Sequence, residues 1–446
     1  MKFNKTSCEN LRGQFLKFLL PSIGSMWFFA LYTMLDGIFV GKGVGPEALA
    51  AVNLANPFIS IIFTISLIVS VGSSNIITNL LGQDNKKKAN EIFTLNVILI
   101  LIISVFMSLV SIIFIDKIVT GLGANGELAL YLKDYLFIIA LGAPFVSLSY
   151  CLEILIKAEG SPSKSFTVLL VTTILNIVGN YLLIFVLDMG LKGAAISTIF
   201  AQFISFTIFL LHFLNKNSNL KFVKPNFDTK TLMIIVKRGF PDALTELSAG
   251  FVTFLFNYNV IKILGVKYLP AFSVILYVSN LVIVTMTAVN HGMQPLVSFY
   301  DGKKDRKSVM YLLKVSVKSA FILSLIFFVL IEVFTSQIVS IFLSKADMDL
   351  FNYSVYALRI YSVSFLVLSL NIVNSGYLNA IKQNTEAILV SAIRGYISIS
   401  ICLLVLPILF GDFGIWSSVI FSELITFLLS FILFKSKGVF KLSTAN

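Results

Sequence analysis

The sequence predicts an all-α polytopic membrane protein: twelve transmembrane helices in two six-helix lobes, related by a pseudo-two-fold axis along the membrane normal. Three observations predict it. The 446 residues are 57% hydrophobic and only 13% charged, with 42 Phe and a strongly positive mean hydropathy, an apolar excess that no soluble domain carries. Apolar runs of about 20 residues, the length that crosses a bilayer, recur along the chain. The second half also repeats landmarks of the first at a constant offset of 220 residues.

Taking each apolar run in turn, helices are predicted at 15–40, 52–81, 91–115, 134–156, 164–187 and 193–214, then at 232–261, 268–299, 308–332, 353–381, 385–410 and 412–434. The basic start MKFNKTSCENLRGQFLK leads into a segment too long for a signal h-region and without a small-residue cleavage site, so the first helix is expected to remain in the mature protein. Between the second and third helices lies GQDNKKK (82–88), whose lysines read as a topology signal rather than a lipid site. The polar, proline-bearing stretch KNSNLKFVKPNFDTK (216–230) reads as a linker. The expected organisation is an N-lobe at 1–215, a cytoplasmic linker at 216–231 and a C-lobe at 232–446.

The loops alternate sharply in charge. With the N-terminus in the cytoplasm, 21 Lys and Arg fall inside, among them Lys2, Lys5, Lys86, Lys87, Lys88, Lys303, Lys304, Lys435, Lys437 and Lys441. Seven fall outside: Lys42, Lys117, Lys133, Lys192, Lys262, Lys267 and Lys345. This excess predicts a cell-membrane protein with both termini cytoplasmic. The same basic loops account for the net charge of +12, so no nucleic-acid partner is expected. Cys8, Cys151 and Cys402 are too scattered for a disulfide framework or a metal site and read as small core hydrophobes. Walker A loop, metal-ligand cluster and nucleophile triad are all missing from the sequence. The expectation is therefore a protein that is no enzyme, holds no metal or other cofactor, and draws its energy from an ion gradient.

The internal repeat is specific. Shifted by 220, Pro21 falls on Pro241, the stretch from Gly45 to Ala51 on that from Gly265 to Ala271, and GQDNKKK on GKKDRKS at 302–308. Shifted by 221, Gly190 and Gly193 fall on Gly411 and Gly414, and Gln202 on Glu423. With six helices per copy the halves share one orientation. Two such lobes around a cleft form a transporter architecture, whereas a channel needs no duplication within one chain.

The chain resembles the multidrug and toxic compound extrusion (MATE) transporters along essentially its whole length. The resemblance rests on LDGIFVGKGVGPEALAAVNLANP at 35–57, GSSNIITNLLGQDN at 72–85, LNIVGNYLLIF at 175–185, GLKGAAIST at 190–198, GFPDALTE at 239–246 and HGMQPLVSFYDGKK at 291–304. It implies two V-shaped lobes that alternate between outward and inward openings. Amphipathic organic cations would be expelled in exchange for H⁺ or Na⁺, by a monomer set in the lipid bilayer. It further implies a cation or proton-coupling site in the outer half of the N-lobe, which falls on Asp36, Asn176, Asn180 and Thr198. At Asn180 many relatives carry a second aspartate, which favours H⁺ over Na⁺ here. The major facilitator motif is matched only loosely by GQDNKKK, which lacks its second glycine and its arginines.

Depth supports that site independently. At 1.5 Å per residue, Asp36 lies roughly 6 Å, Asn180 roughly 10 Å, Asn176 roughly 16 Å and Thr198 roughly 7 Å from the outer ends of their helices. The two asparagines, four apart, share a helix face. An ionised carboxylate in hydrocarbon costs about 2.5 to 3.5 kcal/mol even on insertion scales, so Asp36 is expected to carry function. Interhelical hydrogen bonding is the bland alternative for the asparagines. In the C-lobe, Glu246 and His291 lie roughly 12 and 13 Å from the inner face and are a candidate proton-relay or cation-attracting pair. Arg394 and Glu423, roughly 13 and 16 Å deep, are expected to form a structural ion pair, and Glu153 with Lys157 a local one.

The leading expectation is a cation-coupled multidrug antiporter. The alternative, a lipid-linked oligosaccharide flippase of related architecture, needs a cleft rich in Arg for pyrophosphate. Few arginines, among them Arg359 and Arg394, lie within or near the spans, while Asp36, Glu246 and Asp242 supply acid.

Overall fold

A computed structural model describes residues 8–216, 218–343 and 347–436. Of the charges counted above, Lys2, Lys5, Lys345, Lys437 and Lys441 lie outside the described residues, as do the side chains of Cys8 and Lys435.

The described chain is helical with short turns. Helix α1 spans Cys8–Gly43, α2 Pro46–Gly82, α3 Lys86–Ile113 and α4 Gly126–Ala158, with a short helix Ile115–Gly121 between the last two. Helix α5 runs Pro162–Asn180 and continues through a π-turn, Tyr181–Val186, and α6 spans Gly190–Leu214. Helix α7 is Thr229–Ile263, α8 Leu269–Gly302 and α9 Arg306–Phe342. Helix α10 runs Met348–Ser362 and Ser364–Ala380, while α11 covers 384–410 with a π-turn at Ile393–Ser398. Gly411, at φ 58°, breaks the chain before α12 at 412–436.

Among the described residues, ten segments are long and apolar enough to cross a membrane. The last of them, Asn384–Phe434, contains both α11 and α12, and α7 is not among them. The reason for the second difference is composition: α7 carries Lys230, Lys237, Arg238, Asp242, Glu246 and Lys262. These twelve helices match the predicted spans, with longer ends because the helices extend into the polar boundaries.

The duplication is written in the backbone. Left-handed residues punctuate the two halves at matching places: Gly45 and Gly265, Asp84 and Lys304, Gly160 and Lys382, Gly190 and Gly411. Asn85 Oδ1 caps α3 by accepting from the Lys88 N–H at 3.2 Å, and Asp305 Oδ1 caps α9 by accepting from the Ser308 N–H at 3.1 Å. These are the same turn, 220 residues apart. Only a short polar side chain at that position can satisfy the orphan N–H groups of the helix it opens.

By packing, the described chain divides into two units, one holding Leu20–Gly239 and the other Phe240 onward together with the first turns of α1 up to Leu19. In the first unit, one cluster gathers Ile77, Phe93, Leu95, Cys151, Leu152, Leu155 and Phe213, and another gathers Val40, Ala51, Leu132, Tyr135, Ala194 and Ala195. Gly72 on α2 and Gly239 at the start of α7 let the two backbones meet directly, since a Cβ on either would collide with a carbonyl of the other helix. In the second unit, Phe256, Phe272 and Trp416 stack, with the first two ring centroids 4.9 Å apart. Gln14 on α1 accepts from the Tyr300 hydroxyl at 2.9 Å.

The predicted linker is not free along its length. Glu159, 3% exposed at the end of α4, accepts from the Ser218 hydroxyl at 3.0 Å and from the Asn219 N–H at 2.5 Å. The N–H groups of Lys221 and Val223 donate to Asn90 Oδ1 and Thr94 Oγ1 on α3, at 3.1 and 3.0 Å. Leu220 is fully buried, and Phe222 packs on Phe93 with centroids 4.9 Å apart. Residues 218–223 thus form a strap held on the first unit by the Glu159 carboxylate, by Asn90 and Thr94 on α3, and by Leu220 and Phe222.

Replacing Glu159 with Ala removes the acceptor of two strap donors and should speed amide hydrogen exchange across 218–223 at least tenfold, leaving the α3 and α4 amides unchanged. Uniform exchange in mutant and parent would mean that the apolar contacts and the α3 acceptors hold the strap without Glu159.

Candidate cation site in the first unit

Asp36 sits two turns before the end of α1, half-buried. Its Oδ1 accepts from Asn180 Nδ2 at 2.7 Å. Asn180 is fully buried and is the last α-helical residue of α5 before the π-turn. Such a turn widens the helix and re-aims the side chains beside it. The same Nδ2 reaches Asn176 Oδ1 at 3.2 Å, one turn back on the same face.

The chain of amides continues to α6. Asn176 Nδ2 donates to Thr198 Oγ1 at 3.3 Å and lies 3.4 Å from Ser197 Oγ. The Ser197 hydroxyl donates to the Asn176 carbonyl at 2.9 Å. This approach is possible because residue 179 is glycine: a Cβ there would collide with Ser197 Oγ. The four residues expected from the sequence therefore form one connected network across α1, α5 and α6.

Three further residues complete it. Tyr32, one turn before Asp36, hydrogen-bonds Thr198, and both Tyr32 and buried Tyr135 of α4 lie close enough to feel the Asp36 charge. Ser197 is the third. The spacing of Tyr32 and Asp36 by four residues was a legible signal, and Ser197 adjoins Thr198. Nothing in the sequence distinguishes Tyr135 from other aromatics.

The arrangement gives the carboxylate one strong amide donor and half-exposes it, so it can hold a proton or meet a cation. Asn180 Oδ1 is buried and accepts no hydrogen bond among the described residues. A buried amide oxygen without a donor is costly, and it lies on the residue that grips Asp36. A proton on Asp36, after rotation of the amide, or a small cation at the carboxylate would satisfy it.

In the second unit the amide-held carboxylate on α7 is Asp242. Its oxygens accept from Gln294 Nε2 at 3.3 Å and Asn379 Nδ2 at 2.9 Å, and Gln294 Nε2 also reaches Asn290 Oδ1 at 3.3 Å. Glu246, one turn on, is exposed, and His291 is half-buried. Arg394 Nε lies 2.9 Å from Glu423 Oε1, and Asn371 Nδ2 donates to Glu423 Oε2 at 2.7 Å. Lys157 Nζ lies 2.6 Å from Glu153 Oε1 in the first unit.

The chain was compared with known proteins. The MatE family model matches residues 21–182 and 241–406, once in each half. The multidrug export protein MepA of Staphylococcus aureus (strain MSSA476) is 28% identical over 422 residues, covering 92% of this chain and 90% of that protein. The protein of the same name from Staphylococcus haemolyticus is 26% identical over 426 residues, covering 95% and 93%. Among solved structures, an outward-facing multidrug resistance MATE family transporter of the MOP superfamily superposes with a TM-score of 0.90 at 21% identity, covering 99% of this chain and all of that one.

With Arg394 and Glu423 only 14% and 6% exposed at their side chains, removing either partner leaves a buried charge unpaired. Arg394→Gln and Glu423→Gln should each lower unfolding stability by about 3 kcal/mol, and the double variant should lose less than the two losses added. Strict additivity in detergent melts would show the charges to be uncoupled.

Proposed function

The chain belongs to the MatE family of multidrug-export transporters, and on that premise we propose that it is a secondary antiporter exporting amphipathic organic cations in exchange for H⁺. The observation that carries this reading is the half-buried Asp36 carboxylate gripped by Asn180 at 2.7 Å, inside an otherwise neutral amide and hydroxyl network. A lone carboxylate costs too much in hydrocarbon to be retained for packing. Neutral, it suits a dry lobe; ionised, it needs water, an ion or a cationic substrate. Uptake of a proton and binding of a drug then compete for one charge, which is the thermodynamic requirement for exchange.

H⁺ is preferred to Na⁺ because residue 180 is Asn. Na⁺ needs several oxygens and gains from a second negative charge, whereas the amide supplies the donor that an ionised Asp36 needs and, rotated, the acceptor that a protonated one needs. Asn176 and Thr198 hold Asn180 and so set the geometry of that choice. On α7, exposed Glu246 adds negative charge that attracts cationic substrates, with His291 on α8 as its candidate partner in proton movement. The protein works as a monomer in the cytoplasmic membrane, with both termini inside, as the excess of basic inner loops requires.

Asp36→Asn keeps the volume and removes the titratable group. In proteoliposomes under an imposed pH gradient it should still bind drug but lose gradient-driven efflux by at least an order of magnitude. Efflux at the parent rate would refute the proton-carrying role, and efflux by the parent only with Na⁺ present would move the coupling ion to sodium.

Orientation is checked at Asn219, exposed on the strap. A cysteine placed there should resist impermeant maleimide added outside intact cells and react in inverted vesicles; the opposite pattern would reverse the topology.

A further inference from the structure

We propose that a groove between α5 and α6 is a binding site for an anionic phospholipid of the cytoplasmic leaflet, its phosphate held by Lys164 and one acyl chain lying along the groove. The assignment to that leaflet rests on the orientation proposed above; the binding itself does not.

The groove has a volume of about 330 Å³ and is walled by Ile156, Thr167, Val168, Ile208 and Phe209, with Ser163, Lys164 and His212 at one end. Lys164 lies in the first turn of α5 and His212 in the last turn of α6. The polar end therefore sits where these antiparallel helices leave the membrane, on the face that also carries the strap. An apolar trough capped by a cation and a hydroxyl at the headgroup level matches a phospholipid in both chemistry and direction.

The charges around it settle which side chain faces the ligand. Lys164 Nζ lies 3.3 Å from His212 Nδ1, and His212 Nε2 lies 2.8 Å from Glu159 Oε2. An ammonium only donates, so Nδ1 accepts and the ring carries its proton on Nε2, which donates to Glu159. Glu159 is buried, and its other oxygen, Oε1, accepts from the Ser218 hydroxyl and the Asn219 N–H. The neighbouring Lys157 is neutralised by Glu153, which also accepts from Ser165. Lys164 forms no ion pair among the described residues; its acceptor is a neutral ring nitrogen. It is the one cation at the groove whose charge no carboxylate meets directly, and a phosphate diester would meet it. Through His212 and Glu159, an occupied headgroup site would touch the anchor of the strap, so lipid and strap share one hydrogen-bond chain.

The test uses the full-length protein purified in neutral detergent, with bound lipid counted by native mass spectrometry after exposure to dioleoyl phosphatidylglycerol or dioleoyl phosphatidylcholine. The parent should retain the anionic lipid about fivefold over the zwitterionic one, the effect of one basic residue at an anionic surface. Lys164→Gln should abolish that preference and Lys164→Arg should keep it. Ile208→Trp, which fills the trough, should lower retention of the anionic lipid without touching Lys164. Equal retention of both lipids, or a preference unchanged in Lys164→Gln, would overturn the proposal. Displacement of the lipid by inorganic phosphate would show a free-anion site and overturn the lipid assignment. Lipid counting needs neither transport nor orientation, so its outcome is independent of the Asp36 experiment.

Discussion

In hydrocarbon no water stands ready to complete a hydrogen bond, and the rest of this structure depends on that constraint. A polar group that enters a span is costly unless it finds its partner in the protein. Most serines and threonines do so within their own helix, as Thr78 does on the Ser74 carbonyl at 2.8 Å and Ser418 on that of Gly414 at 2.6 Å. The groups that cannot be satisfied locally reach between helices, and those contacts mark the places that matter. Asp36 with Asn180, Asp242 with Gln294 and Asn379, and Glu423 with Arg394 and Asn371 are three carboxylates, each answered by amides or a guanidinium from another helix.

These three differ in what they can do. The Glu423 carboxylate meets the Arg394 guanidinium and one Asn371 amide donor, and the same amide also reaches the Glu423 backbone carbonyl, so these contacts tie α10, α11 and α12 together. Asp36 and Asp242 meet neutral amides, which tolerate either protonation state because an amide turned over exchanges donor for acceptor. The physical difference between the three lies in the partner, neutral amides for Asp36 and Asp242 and a guanidinium for Glu423.

The close approaches of helices follow the same economy. Lipid tails are as apolar as leucine, so helices gain from packing only where backbones come near, and small residues permit this. Gly72 against α7 and Gly179 against Ser197 are two such places, and the second brings Asn176 within reach of α6. The strap extends the argument beyond the spans. A polar, proline-bearing segment would be expected to hang free, yet Leu220 and Phe222 are enough to seat it once Glu159 accepts its first donors.

What the sequence determined by itself was the architecture: the count of helices, their duplication and the turns at 82–88 and 302–308 are set by local hydropathy, by residues able to turn the chain and by the offset between halves. The family was legible too, because Asp36, Asn176, Asn180 and Thr198 stand in recognisable motifs and at a common depth. Helix α7 was legible as an apolar run at 232–261, although its charges keep it out of the segments apolar enough to cross a membrane. Tertiary structure alone decided which acid meets which partner. Depth along a helix follows from counting residues, but rotation about its axis and the neighbour it faces follow from packing. The sequence pointed to Glu246 as the candidate of the C-lobe, with Asp242, four residues earlier, only as a further acid; α8 and α10 supply Gln294 and Asn379 to Asp242 instead. The same holds for Tyr135, and for Glu159, Lys164 and His212, whose hydrogen bonds join residues 48 to 60 positions apart. No local pattern encodes a contact that exists only once three helices and a strap have folded together.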